Sequence, residues 1–210
     1  MVRNPRSVLA LRVGALALTA ALVGTACGET NARPVVKVDV AADSDYVGPP
    51  LADFRMTDSD GREVTLDSLA GAPFVLDFVF TTCSGPCPRM SEGMAELQGA
   101  LADTPVRLVS VSVDPETDTL EVLSTYAEAH AADPERWTFL RGEEAQVEAL
   151  AASVSVAMQR NPGADLGLQV AHSTRYMVVD GQGRVRGYYE GTTPEGRAAA
   201  AARARWLARR

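Results

Sequence analysis

The chain reads as an α/β domain in which a central mixed sheet is flanked by helices on both faces. Three observations predict it. Apolar runs of strand length alternate with helical segments, a hairpin pattern stands in front of that alternation, and a second hairpin stands behind it. Of 210 residues, 46% are hydrophobic and 22% charged, which suits one ordinary domain with a real core plus a leading segment.

The folded part is expected over residues 51–210. In 51–69, FRMT, the turn DSDG and REVTL form the leading hairpin, and DSLAG a short helical turn. PFVLDFVF, 73–80, is an almost unbroken apolar run, as a central strand covered on both faces requires. It stops at TTCSGPCP, and from Pro88 a helix is predicted by the spacing of Met90, Met94, Leu97 and Leu101. VRLVSVSV, 106–113, is a second central strand. After DPETDT, with Asp118 or Thr119 as cap, a helix carries Leu120, Leu123 and Tyr126. RWTFL, 136–140, is a short strand, and 142–153 a helix with acids in its first turn, where the macrodipole favours them. Residues 154–170 have no clear period, and NPGADLG reads as a turn or excursion. STRYMVVD and RVRGYYEG, joined by GQG, give the last hairpin, and Pro194 to Arg210 the closing helix.

Ahead of the domain, an arginine-bearing start, the apolar stretch VGALALTAALVGTA and small residues before Cys27 read as an export signal over 1–27. The stretch is shorter than the roughly 20 apolar residues of a comfortable bilayer span. Its end resembles a bacterial lipoprotein signal, with Cys27 lipidated and made the new N-terminus. An uncleaved anchor, or secretion with an unmodified Cys27, is the alternative. Residues 28–50, polar and broken by prolines, are expected to be a flexible tether to the membrane. With a lipidated Cys27 the domain is expected in a bacterial cell envelope, on the periplasmic or outer face of the cytoplasmic membrane.

The formal charge is −7, from 20 basic and 27 acidic residues. A product starting at Cys27 keeps 17 basic residues against the same 27 acids, a formal −10, which argues against nucleic acid or an anionic lipid surface as the main partner. A cationic metal or a basic protein suits it better.

The chemistry gathers at few residues. With Cys27 assigned to lipid, Cys83 and Cys87 remain, four residues apart where a strand hands over to a helix. If the helix has begun by Cys83 or Ser84, both sulfurs project from nearly the same face. Backbone N–H groups at a helix start favour a thiolate. Such a pair can bind a soft cation, exchange disulfides with another protein, or do both, and a metal site needs a further ligand. His130, at a predicted helix end, is expected to be solvated there. His172 falls in a loop at the rim of the sheet, where open α/β folds place their sites, and completes a Cys2His set that suits copper better than zinc. Asp77, inside FVLDFVF, is either buried with a raised pKa and able to move a proton near the thiols, or a solvated strand-edge acid. Met90 and Met94 lie on the helical stripe and are expected in the core, and Asp114 is read as a support of the site or a cap.

TTCSGPCP, SVDPETDTLEVLSTY (112–126), LRGEE (140–144) and VAHSTRYMVVDGQGRVRGYYEG (170–191), in this order, resemble the SCO/SenC family of thioredoxin-fold copper proteins. The resemblance spans roughly residues 50–191. It implies a thioredoxin-like fold and a membrane-anchored protein that binds Cu(I) or Cu(II). It also implies a role in maturing the binuclear copper centre of cytochrome c oxidase subunit II, as metallochaperone, as thiol reductant of the subunit, or as both. The family's two cysteines map onto Cys83 and Cys87, its histidine onto His172, and the aspartate of its DPxxDT element onto Asp114. An oxidised pair is implied not to hold copper. The interval SGP departs from the family's usual residues and, with Asp77 six residues before Cys83, is closer to thioredoxins, although those have two residues between their cysteines and a cis-proline beside the site. The alternative function is therefore a membrane-tethered thiol-disulfide oxidoreductase without obligate metal.

Overall fold

A computed structural model describes residues 40–161, 163 and 170–210. The signal segment 1–27 with Cys27, the tether up to residue 39, and most of NPGADLG lie outside the described residues.

Strand β3 (Phe74–Val79) is buried at all six positions, as its continuous apolar run requires. It runs parallel to β4 (Arg107–Ser112), which runs parallel to β5 (Trp137–Arg141). On the other side β8 (Arg175–Val179) pairs antiparallel with β3 and then with β9 (Val185–Glu190). The leading hairpin, β1 (Arg55–Asp58) and β2 (Glu63–Thr65), joins the same sheet through an antiparallel β1–β5 pair. The result is one mixed sheet in the order β2-β1-β5-β4-β3-β8-β9.

Helices cover both faces, because alternate residues of each strand point to opposite sides. One face buries Met90, Met94 and Leu97 of α1 (Cys87–Ala100), Leu123 of α2 (Leu120–Ala129) and Ala200 and Ala204 of α4 (Pro194–Ala208) against Val75, Leu108, Phe139 and Val178. The other buries Val147 and Leu150 of α3 (Glu144–Ser153) against Leu76, Phe78, Val109 and Val111. Met90 and Met94 are thus core residues, as the spacing predicts. Thr119, of the two candidate caps, is the one that closes α2: its side chain accepts from the Val122 N–H at 3.3 Å. The 180° turn between β8 and β9 rests on Gly183 at φ 72°, a conformation that favours glycine.

Two segments differ from expectation. Residues 40–50, expected to belong to the tether, lie against the domain. Gly48 N–H donates to the Val185 carbonyl at 2.8 Å and Val185 N–H to that of Pro49 at 3.0 Å. The buried Arg203 of α4 donates to the carbonyls of Ala42, Ser44 and Tyr46 as well as to Arg186. A guanidinium with five donors in a fixed fork can hold several carbonyls at once, which organises a strand-poor segment without an apolar pattern of its own. Second, the stretch without a period contains β6 (Gln159–Arg160), paired antiparallel with β7 (Val170–Ala171) in a small separate sheet. Two residues per strand are too few to show alternation.

Candidate metal and thiol centre

The centre forms where β3 and β4 end on the α1 side. Beyond Val79 the chain leaves the sheet, and Thr81 is held by Asp118. Thr81 Oγ1 donates to Asp118 Oδ1 at 2.6 Å, and its N–H approaches both carboxylate oxygens at 3.2 and 3.3 Å. Ser112 Oγ, at the end of β4, donates to Oδ2 at 2.5 Å. The loop carrying Cys83 is therefore pinned to the next strand by one fully buried carboxylate. The support expected of Asp114 belongs to Asp118 instead. Asp114 contributes backbone: its N–H donates to Ser112 Oγ and its carbonyl accepts from Thr117 and Asp118.

Helix α1 opens at Cys87 with Pro86 as its N-cap and Pro88 in the first turn, so the helix starts later than a shared helical face for both cysteines requires. Cys83 precedes it, its N–H donating to the Phe80 carbonyl at 3.2 Å. The sulfurs meet nonetheless, because the loop folds back on the helix start. Both are free thiols, Cys87 buried and Cys83 half-buried. The Cys87 thiol donates to Cys83 sulfur, and with backbone N–H groups of Cys87 and Gly85 this draws the Cys83 pKa down from 9.0 to about 6, against the opposing effect of burial. Cys87 is pushed upward by the same bond and by burial. One thiolate at neutral pH, on the more accessible sulfur, is the consequence. Replacing Cys87 by alanine removes the main cause, so the midpoint of a Cys83 alkylation profile, followed against pH by mass spectrometry, is expected to move from about 6 back toward 9. A midpoint that stays put would assign the shift to the backbone alone.

His172 arrives from the other side of the centre, just after β7. Its Nε2 lies 3.5 Å from Cys87 Sγ, and its Nδ1–H donates to the Ser173 carbonyl at 3.0 Å. That bond assigns the proton to Nδ1 and leaves the Nε2 lone pair facing the sulfur. Burial lowers the His172 pKa, which keeps the ring neutral and able to act as a ligand. The Phe80 and His172 rings meet edge to face, 5.8 Å between centroids. The structure thus brings Cys83, Cys87 and His172 together, the last two in contact. Among the described residues, no three histidine, cysteine or acidic side chains already surround a metal position. His130 stands apart at the end of α2, against the rings of Tyr126 and Trp137.

Asp77 is fully buried on the α1 face of β3, which decides between its two readings. Ser110 Oγ donates to its Oδ1 at 2.6 Å and in turn accepts from Trp137 Nε1 at 2.9 Å, while Oδ2 has no partner. Desolvation raises its pKa from 3.8 to about 7, only partly opposed by the serine bond. Its charge also acts on Cys87, in the direction that holds the thiol proton.

A model of the SCO1/SenC family matches residues 44–207. The SCO1 protein homolog of Bacillus subtilis (strain 168) is 34% identical over 142 residues, 66% of this chain and 72% of the homolog. BsSco, a member of the Sco family of cytochrome c oxidase assembly proteins in which a disulfide switch has been identified, superposes with a TM-score of 0.64 at 29% identity, over 79% of this chain and 98% of that one. Bradyrhizobium japonicum ScoI with copper bound superposes with a TM-score of 0.61 at 28% identity, over 75% of this chain and 99% of its own.

Proposed function

The chain belongs to the SCO1/SenC family of thioredoxin-like fold, and from that premise we propose that it is a copper metallochaperone and thiol reductant in the maturation of cytochrome c oxidase, acting on the binuclear copper centre of subunit II. One observation carries the copper reading: two free thiols, one of them a thiolate at neutral pH, meet a neutral imidazole whose Nε2 points at Cys87 Sγ. Two sulfurs and one nitrogen form a soft donor set that suits Cu(I), and the imidazole admits Cu(II). Copper is here the cargo. Cys83, Cys87 and His172 would hold it, Asp118 would keep the Cys83 loop in register, and Ser173 would hold the His172 tautomer. Likeness to copper-loaded ScoI supports the assignment.

The half-exposed Cys83 gives a recipient access to the cargo from one side. Release proceeds by ligand exchange onto the recipient's cysteines and histidines, and the acidic surface of this domain favours a basic approach. A membrane tether through residues 28–39 and a lipidated Cys27 would keep the domain beside its target. Among the described residues no helix is long and apolar enough to cross a membrane.

The second reading, thiol-disulfide exchange, is favoured by the lowered Cys83 pKa and the buried Asp77. The Cys83 thiolate attacks a disulfide of the recipient, forming a mixed disulfide and releasing one thiolate. Cys87, losing its proton toward that thiolate or Asp77, attacks Cys83, leaving a Cys83–Cys87 disulfide and a recipient dithiol. The two electrons come from the Cys83–Cys87 dithiol. Anaerobic mixing of the copper-loaded chain with the reduced apo copper domain of subunit II tests the proposal. Copper is expected to appear on the recipient in proportion to chain added. Reduction of an oxidised recipient without any copper transfer to the reduced one would leave only the second reading.

A further inference from the structure

The small sheet pairs Gln159 with Ala171 and Arg160 with Val170. Carried one residue beyond the two strands, that register sets Met158 opposite His172, and directly opposed residues of an antiparallel pair put their Cβ atoms about 5 Å apart on one face. Separate contacts identify that face. Met158 shares a side with Arg160 by strand alternation, and the Arg160 guanidinium turns to the Val113 carbonyl at the end of β4. The half-buried Met158 packs against the cluster that contains Phe80, Cys87 and Val113, and Cys83 packs against the same cluster. His172 touches two members of that cluster, Phe80 and Cys87.

Filling the core explains why an apolar side chain is buried here. It does not explain a thioether at the register position of the histidine, directly before a strand made of Gln159 and Arg160. A thioether is a soft, uncharged donor that stabilises Cu(I) and adds little to Cu(II). Resting on the copper reading above, we propose that Met158 is a further ligand of the centre, engaged when the cargo is Cu(I). It would favour the reduced ion without adding charge to a centre that already carries thiolate. As a weak ligand, it would also be the first displaced when a thiolate of the recipient arrives.

The test uses the full chain in detergent, labelled with selenomethionine, reduced and loaded anaerobically with one equivalent of Cu(I). Selenium-edge X-ray absorption is expected to show a copper neighbour, and the signal is expected to vanish in Met158→Leu, a swap of similar volume. Of the six methionines, this difference isolates one. Chelator competition on the unlabelled chain is expected to give about tenfold weaker Cu(I) binding in Met158→Leu, about 1.4 kcal/mol, with Cu(II) affinity unchanged. No copper neighbour in the parent, or equal weakening for both oxidation states, overturns the ligand role. Cys83→Ser and His172→Ala are run beside it: undiminished copper in those variants would overturn the centre itself, and this ligand with it.

Discussion

Replacing either Cys83 or Cys87 by serine is expected to weaken Cu(I) binding by about a thousandfold or more, about 4 kcal/mol. A hydroxyl is a hard donor that stays protonated at neutral pH, so each replacement removes one of the two thiolates on which a soft cation depends. The two variants should differ in detail. Cys83→Ser removes the bond that chiefly raises the Cys87 pKa and leaves a buried thiol that burial alone disposes to keep its proton. Cys87→Ser leaves the accessible sulfur intact but separates it from the atom that touches His172 Nε2. His172→Ala removes one neutral ligand and is expected to cost less, about 2 kcal/mol or roughly thirtyfold. Competition against a Cu(I) chelator under argon measures all three. Binding within threefold of the parent in either cysteine variant would contradict the dithiolate centre.

The second large effect concerns Asp77 and is read in stability. The unfolded carboxyl releases its proton near pH 4, whereas the native one keeps it until about pH 7. Between those values the unfolded state binds fewer protons than the native state, so the contribution of Asp77 to stability falls as pH rises and levels off above pH 7. About three pH units correspond to about 4 kcal/mol, an upper bound for one desolvated group. Asn has no such proton. The stability difference between Asp77→Asn and the parent, from urea unfolding, is therefore expected to shift in favour of the variant by up to about 4 kcal/mol between pH 4 and pH 8. The loss from placing an amide nitrogen where Oδ2 has no partner is the same at both pH values and cancels. A difference that does not change with pH would mean that Asp77 is ionised in the native protein.

Features carried by local pattern were legible in the sequence. The apolar runs of β3 and β4, the β8–β9 hairpin around GQG and the stripe of α1 all stand where spacing places them. The family resemblance, resting on the cysteine segment, DPETDT and the histidine before the last hairpin, supplied the thioredoxin-like arrangement. What the sequence left open depends on distant partners. Asp118 reads locally as a cap, and its function emerges only with Thr81, 37 positions away. Residues 40–50 read as tether because their carbonyls are claimed by Arg203, more than 150 positions later. Asp77 could not be assigned to core or solvent from an apolar run alone, since the deciding neighbours Ser110 and Trp137 sit on two other strands. Met158 carried no signal at all, because the two-residue strand that follows it has no period and pairs with residues ten or more positions further on.

The departure at SGP also acquires a physical reading. Gly85 is not in the left-handed region, and a Cβ there would make only ordinary contact with Cys83 Sγ at 3.8 Å. Pro86 caps α1, and no cis peptide bond occurs among the described residues. The interval thus sets the helix start at Cys87 and leaves Cys83 half-buried on the loop before it.

Copper titration of the chain in its two redox states tests the central claim most directly. The dithiol form is expected to take up one copper per chain with high affinity. The form oxidised to a Cys83–Cys87 disulfide is expected to take up none, and dithiol His172→Ala to bind markedly more weakly. Equal uptake by the oxidised chain, or an affinity indifferent to His172, would contradict a copper centre built from Cys83, Cys87 and His172.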